Sequence, residues 1–546
     1  MPWNRLLTSA KFRKISIVIF FVLSLAIILY PTQYFFGFSN TDGFNIFPFP
    51  EYFALLYGLW IAISMLISIK ASRLLGGILG VTISIVSSLL LYKIAPLGFD
   101  HNYDITYYDS SYLQTTHFLP FSIALNSQYN YLAYPGLSII TCALHIVLGL
   151  NYQGIAPVLM TAFYTVLGLS IYRLTSYLTK NVMLSVISMP IFFSMSLGSL
   201  YYLLFPATLG LTLLGLSISF LFTKSDRSNG SSMVLILLVT SMIVTHFYDP
   251  ILLIFVFLLI LIFRKQLKLT LQPVRIMIVL IAIDAIWNVY IATNYTTSII
   301  ELLKSTLNGS FSYALTVITS NTSGGLISVN MLRYFDLLIS SVFGVILSIV
   351  ILATYKKREF TERLYSIAAI AAMIFGFTAT IGSLAQGGFD FTIALQFVPL
   401  LSIPLFLSFF AKNRRRIAII IAVVVILSGL SLFVLPYHAI SSTTVYPSEF
   451  TVAGFYLHYT TNNATAIMTD PKTFGIIGAE APLINGNIYS YPVRNLGYDP
   501  YDYNIINLGY VTYQMHLYSY AINISDYNNY DITFTDGRIF LCPPSP

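Results

Sequence analysis

From residue 181 to residue 223 the chain carries no charged side chain, and the stretch from 417 to 448 is equally bare. Stretches of this kind constrain the fold more than any other feature. In water they would have to be buried whole. In a bilayer, each run of about 18 or more such residues can close its own backbone hydrogen bonds as a helix and cross a hydrocarbon core of about 30 Å. Only 9% of the 546 residues are charged and 57% are hydrophobic. A soluble domain carries about a quarter charged residues, so there is too little charge here to coat a water-soluble particle of this size. The expected fold is an all-α polytopic membrane protein with about thirteen spans. They fall near 15–31, 52–70, 74–93, 154–173, 181–199, 203–222, 232–248, 250–264, 274–293, 334–354, 365–384, 392–411 and 417–436.

The net charge of +7 is a topology signal rather than a nucleic-acid signal, because the basic residues sit in short clusters between apolar runs. With the N-terminus in the cytoplasm, 22 of the 28 Lys and Arg residues fall inside and 17 of the 21 acids fall outside. Residues 136–150 are apolar enough to span but short, and counting them would invert every later loop. They are read as a helix lying at the outer interface or dipping partway in. Three polar parts are then external: residues 94–153, the loop 294–333, and a C-terminal α/β unit from 437 to 546 with a strand near 464–469. Residues 1–73 form an N-terminal pair of spans and 74–436 a transmembrane core. The C-terminal domain is external, and the protein belongs in the cell membrane. Cys142 and Cys542 offer no disulfide framework and no zinc spacing.

Four places carry chemistry. Asp100, His101, Asp104 and Asp109 follow the third span closely. Neighbouring carboxylates divide into a base and a stabiliser, or share a divalent metal on Asp100 and Asp104, unless the segment is simply a solvated loop rich in turn formers. His246 and Asp249 mark the outer turn after the seventh span, either lining a polar cavity or with Asp249 capping a helix that begins at Pro250. Arg333 and Lys93 stand at outer helix ends, where a cation holds a phosphate, pairs with an acid such as Asp336, or snorkels to headgroups. Asp284 lies mid-span with Trp287 and Asn288 nearby, a functional acid or a hydrogen-bonded structural one.

The order Asp104-Ile-Thr-Tyr-Tyr, Thr116-His117-Phe118-Leu119-Pro120 and Tyr134-Pro135-Gly136-Leu137, with Thr245-His246 later, resembles the polytopic glycosyltransferases of the GT-C superfamily, especially archaeal-type members. So does the tail from Glu449 to Asp470. The resemblance covers roughly residues 74–480 and implies transfer of a sugar from a polyprenyl-phosphate carrier at the outer face. It makes Asp104 the general base or acceptor-orienting acid, with Asp100 and Asp109 behind it. Arg333 or Lys93 would hold the lipid phosphate. The acceptor is a protein, a lipid or a glycan. Two spans precede the family core, and Gly388-Phe389-Asp390-Phe391 stands where the family has a late basic residue. The Trp-Trp-Asp-Tyr-Gly signature is absent, which points to transfer of a single sugar. A non-catalytic membrane scaffold and a transporter or flippase are the rival readings.

Overall fold

The computed structural model describes residues 10–29, 51–69, 71–94, 110, 113–114, 133–150, 152–196, 206–223, 229–262, 272–293, 296–297, 363, 365–372, 374, 397–411, 466–468, 488–490, 503–507, 534–535 and 539–542. Eleven helices are described: α1 (Ala10–Leu29), α2 (Glu51–Ser68), α3 (Arg73–Ile94), α4 (Gly136–Leu148), α5 (Tyr152–Thr179), α6 (Val182–Ser196), α7 (Pro206–Thr223), α8 (Asn229–Thr245), α9 (Tyr248–Ile262), α10 (Gln272–Ile286) and α11 (Phe397–Phe410). A π turn, Trp287–Ile291, extends α10. Among the described residues, Gly154–Thr179 is long and apolar enough to cross a bilayer, and the other apolar helical stretches run 10–17 residues.

The bundle is built around α5, which packs against α3, α4, α6, α7 and α11. Its Leu167, Ile171 and Leu174 are fully buried. Serine and threonine also point inward. Ser24 bonds the Phe20 carbonyl (2.8 Å), Ser64 that of Ile61 (2.6 Å), and Thr212 that of Thr208 (2.8 Å). A hydroxyl satisfied by its own helix enters an apolar interior at little cost. Large aliphatic side chains face outward instead, as on α1, where Val18, Val22, Leu25 and Leu29 are exposed. Lipid-facing helices have this polarity. The α1–α2 pair is tied to α3: Phe20 stacks on Trp60, Trp60 donates to Ser24 (2.8 Å), and Tyr57 shares a hydrogen bond with Ser87 (3.1 Å).

The α5–α6 turn shows how local chemistry sets a helix end. Lys180 takes a left-handed conformation (φ 52°), and Asn181 Oδ1 then accepts from the amides of Met183 (3.0 Å) and Leu184 (3.3 Å). That side chain satisfies two of the amides a helix start leaves open. At the end of α4, Gly149 (φ 63°) supplies the left-handed residue and donates to the His145 carbonyl. His145 Nδ1 and the Leu150 carbonyl lie 2.6 Å apart. Helix α4 has 13 residues, about 20 Å of rise, which is short of a bilayer core. Leu137, Ser138, Thr141 and Cys142 are buried, whereas Ile146 and Val147 at its end are 64% and 77% exposed.

In the C-terminal segment, β1 (Ala466–Met468), β2 (Ile488–Ser490), β3 (Tyr503–Asn507), β4 (Phe534–Thr535) and β5 (Ile539–Cys542) form a sheet of order β2-β1-β3-β5-β4. β1 runs parallel to β2 and β3, with Ile467 opposite Tyr489 and Asn504; β5 runs antiparallel to β3 and β4. β1 lies inside the stretch where the sequence predicts a strand.

Candidate functional site

The turn between α8 and α9 consists of His246 and Phe247. The His246 amide still reaches the Met242 carbonyl (2.9 Å), so the imidazole leaves directly from the end of α8. α9 starts at Tyr248, which puts Pro250 in its first turn, where a missing amide is cheap. Asp249 therefore sits inside that first turn instead of capping a helix that begins at Pro250. Its carboxylate lies at the positive end of the helix and accepts a hydrogen bond from His246 Nδ1. With Nδ1 carrying the shared proton, Nε2 of a neutral imidazole presents the lone pair.

His246 and Asp249 are each 1% exposed. Helix α7 makes room for the pair. A Cβ on Gly210 would collide with Asp249 Oδ2 and lie 2.9 Å from both Asp249 Cγ and His246 Cβ. His246 Nε2 and Asp249 Oδ1 are buried with no hydrogen-bond partner among the described residues. Each such atom costs about 1–3 kcal/mol. Tyr248 packs edge-on against His246 (5.5 Å) and against Phe247 (5.2 Å), and Phe247 against Tyr134 (6.3 Å).

The first turn of α4 is where separate parts of the sequence meet. Gly136 lies against Thr245, so that a Cβ there would meet Thr245 Oγ1 and lie 3.1 Å from its Cα. Ser110, the residue after Asp109, is buried and donates to the Ser138 carbonyl (3.1 Å). Just before α4, Tyr134 donates to Asn288 Oδ1 (2.8 Å), and Trp287 Nε1 donates to the Ala133 carbonyl (3.1 Å). The Tyr134-Pro135-Gly136 segment, the Thr245-His246 turn and the Trp287-Asn288 pair, three separate stretches of chain, thus form one contiguous patch. Asp284 stands one turn before Asn288, its backbone carbonyl accepting from Asn288 Nδ2 (2.9 Å) and its buried Oδ1 without a partner among the described residues.

Of the residues singled out from the sequence, His246 and Asp249 are brought together here. Lys93 is in the last turn of α3. Asp100, His101, Asp104, Asp109 and Arg333 lie outside the described residues. Among the described residues no group of three or more His, Cys, Asp or Glu could hold a metal. Asn288, Tyr134, Gly210 and Ser110 were not singled out as site residues. Asn288 carried the best available signal, a carboxamide inside an apolar span, since a polar group there needs a partner.

No protein-family model matches the chain, and no curated protein matches it. Among solved structures it is similar to ArnT from Cupriavidus metallidurans, crystallised with undecaprenyl phosphate, at 13% identity and a TM-score of 0.41, over 85% of this chain and 97% of that one.

Proposed function

We propose that the chain is a membrane-embedded glycosyltransferase of GT-C type that moves a single sugar from a polyprenyl-phosphate donor to an acceptor hydroxyl at the outer membrane face. The observation that carries this reading is the shared seat on α4. Ser110, at the end of the acidic segment, and Thr245, at the start of the His246–Asp249 turn, both rest on its first turn. The residue that follows Asp109 and the residue that precedes His246 thus share one support.

In this reaction Asp104 takes the proton of the acceptor hydroxyl as its oxygen attacks the anomeric carbon. The bond from that carbon to the phosphate oxygen breaks, and polyprenyl phosphate leaves with the electron pair. Arg333 or Lys93 balances the charge on the departing phosphate, as a positioned cation at a developing anion does. His246, its tautomer fixed by Asp249, is the second proton-handling group, and Asp100 and Asp109 orient donor and acceptor. Attack by direct displacement inverts the anomeric centre.

The full burial of His246 and Asp249 favours a second reading, a non-catalytic relative in which the pair only fastens the bundle. One assay separates the two. The wild type and Asp104→Asn are reconstituted in liposomes with radiolabelled polyprenyl-phosphate-linked sugars. Turnover in the wild type that the substitution abolishes supports the transferase. No turnover with any donor supports the scaffold. Turnover in both keeps the activity and discards Asp104.

A further inference from the structure

We infer that the π turn of α10 fastens α4 in place, and that Asn288 is a positioning residue which, through Tyr134, sets where the α4 seat stands relative to His246. The catalytic consequence rests on the transferase reading; the fastening itself does not.

The geometry is specific to this turn. In the π turn the Ala292 amide reaches back five residues to the Trp287 carbonyl (2.9 Å). That widening brings two consecutive side chains onto two consecutive residues of another segment: Trp287 onto the Ala133 carbonyl and Asn288 onto the Tyr134 hydroxyl. It also leaves the Asn288 carbonyl open to Thr296 Oγ1 (3.2 Å). The Asn288 carboxamide is used at both ends, accepting from Tyr134 and donating to the Asp284 carbonyl (2.9 Å). Neither a leucine nor a serine would do both. π turns inside α-helices are frequent at functional sites. The next two side chains, Val289 and Tyr290, are exposed, so the turn's polar contacts go to residues 133–134 while its outer side remains apolar. From Tyr134 the path runs through Pro135 to Gly136, against Thr245, and so to His246. Ser138, on the same turn of α4, receives Ser110. Releasing Asn288 therefore frees the seat that Ser110 and Thr245 share.

The native thiol Cys142 on α4, 4% exposed, reports on this directly. In full-length protein in nanodiscs, with Cys542→Ser, Tyr134→Phe and Asn288→Ala are each expected to speed N-ethylmaleimide labelling of Cys142 roughly tenfold. The double variant is expected to go no faster than Asn288→Ala alone, because that substitution already breaks the bond to Tyr134. Trp60→Phe, which breaks a comparable buried bond far along the chain at Ser24, is expected to leave the rate unchanged. Unchanged labelling in Tyr134→Phe and Asn288→Ala, or an equal rise in Trp60→Phe, overturns the fastening. With donor supplied, kcat should fall about tenfold in both single variants at a KM within about twofold of wild type, again without adding in the double variant. Faster labelling with unchanged kcat overturns the positioning role. A wild type that transfers no sugar sinks the transferase reading, and the labelling rates still decide the fastening.

Discussion

The two-residue turn between α8 and α9 concentrates unusual chemistry in His246 and Asp249. A buried hydrogen-bonded pair of this kind is strongly context-dependent, because removing one partner strands the other. Asp249→Leu is expected to destabilise the protein by about 1–3 kcal/mol, read as a lower unfolding temperature in detergent, since His246 Nδ1 then has no acceptor. Asp249→Asn retains an acceptor oxygen and is expected to keep most of that stability while lowering transfer. Equal stability loss in both would show that charge, not the hydrogen bond, holds the pair. Gly210→Ala places a methyl where Asp249 Oδ2 sits. The same unfolding measurement should show a loss of about 1–3 kcal/mol, the usual cost of overpacking, with no gain from improved helix propensity.

Helix α4 does two jobs with its two halves. Leu137, Ser138, Thr141 and Cys142 are buried in the bundle, while Ile146 and Val147 at the far end face out. A helix of about 20 Å that ends in exposed aliphatic side chains fits the boundary between headgroups and acyl chains better than a full crossing. A nitroxide on Val147→Cys should therefore report a shallow depth by collision with oxygen and with a water-soluble nickel complex. A label at the bilayer centre would make α4 a span and invert the later topology. At the other side of the bundle, Asn181 caps α6 through two amides. Asn181→Ala is expected to cost about 1 kcal/mol in the same unfolding experiment.

For the whole molecule, the prediction that matters most is orientation, because it decides which face the acidic segment meets. Basic residues cluster at 412–416, and the C-terminal unit from 437 carries eight of the 21 acids. In sealed right-side-out vesicles, a membrane-impermeant maleimide should reach Asn463→Cys directly and Asn413→Cys only after permeabilisation. The reverse pattern would put Asp104 at the cytoplasmic face and require a different donor.

Hydropathy runs made the helical character legible before any coordinates, because lipid imposes a composition rule on every exposed surface, and the Lys/Arg clusters supply the orientation that the labelling experiment tests. Helix ends could be read to within a few residues: the span expected at 250–264 is α9, Tyr248–Ile262. His246 and Asp249 were visible as polar residues at a membrane boundary. Their burial was not, since it needs the space left by Gly210, from a helix some 36 residues earlier in the chain. The seat on α4 is likewise the work of the tertiary structure. It joins Ser110, Gly136, Thr245 and Asn288, none of them charged and none distinctive alone. Periodicity along a chain shows which faces meet lipid. Only packing decides which hydroxyl, carboxamide and imidazole share a hydrogen bond.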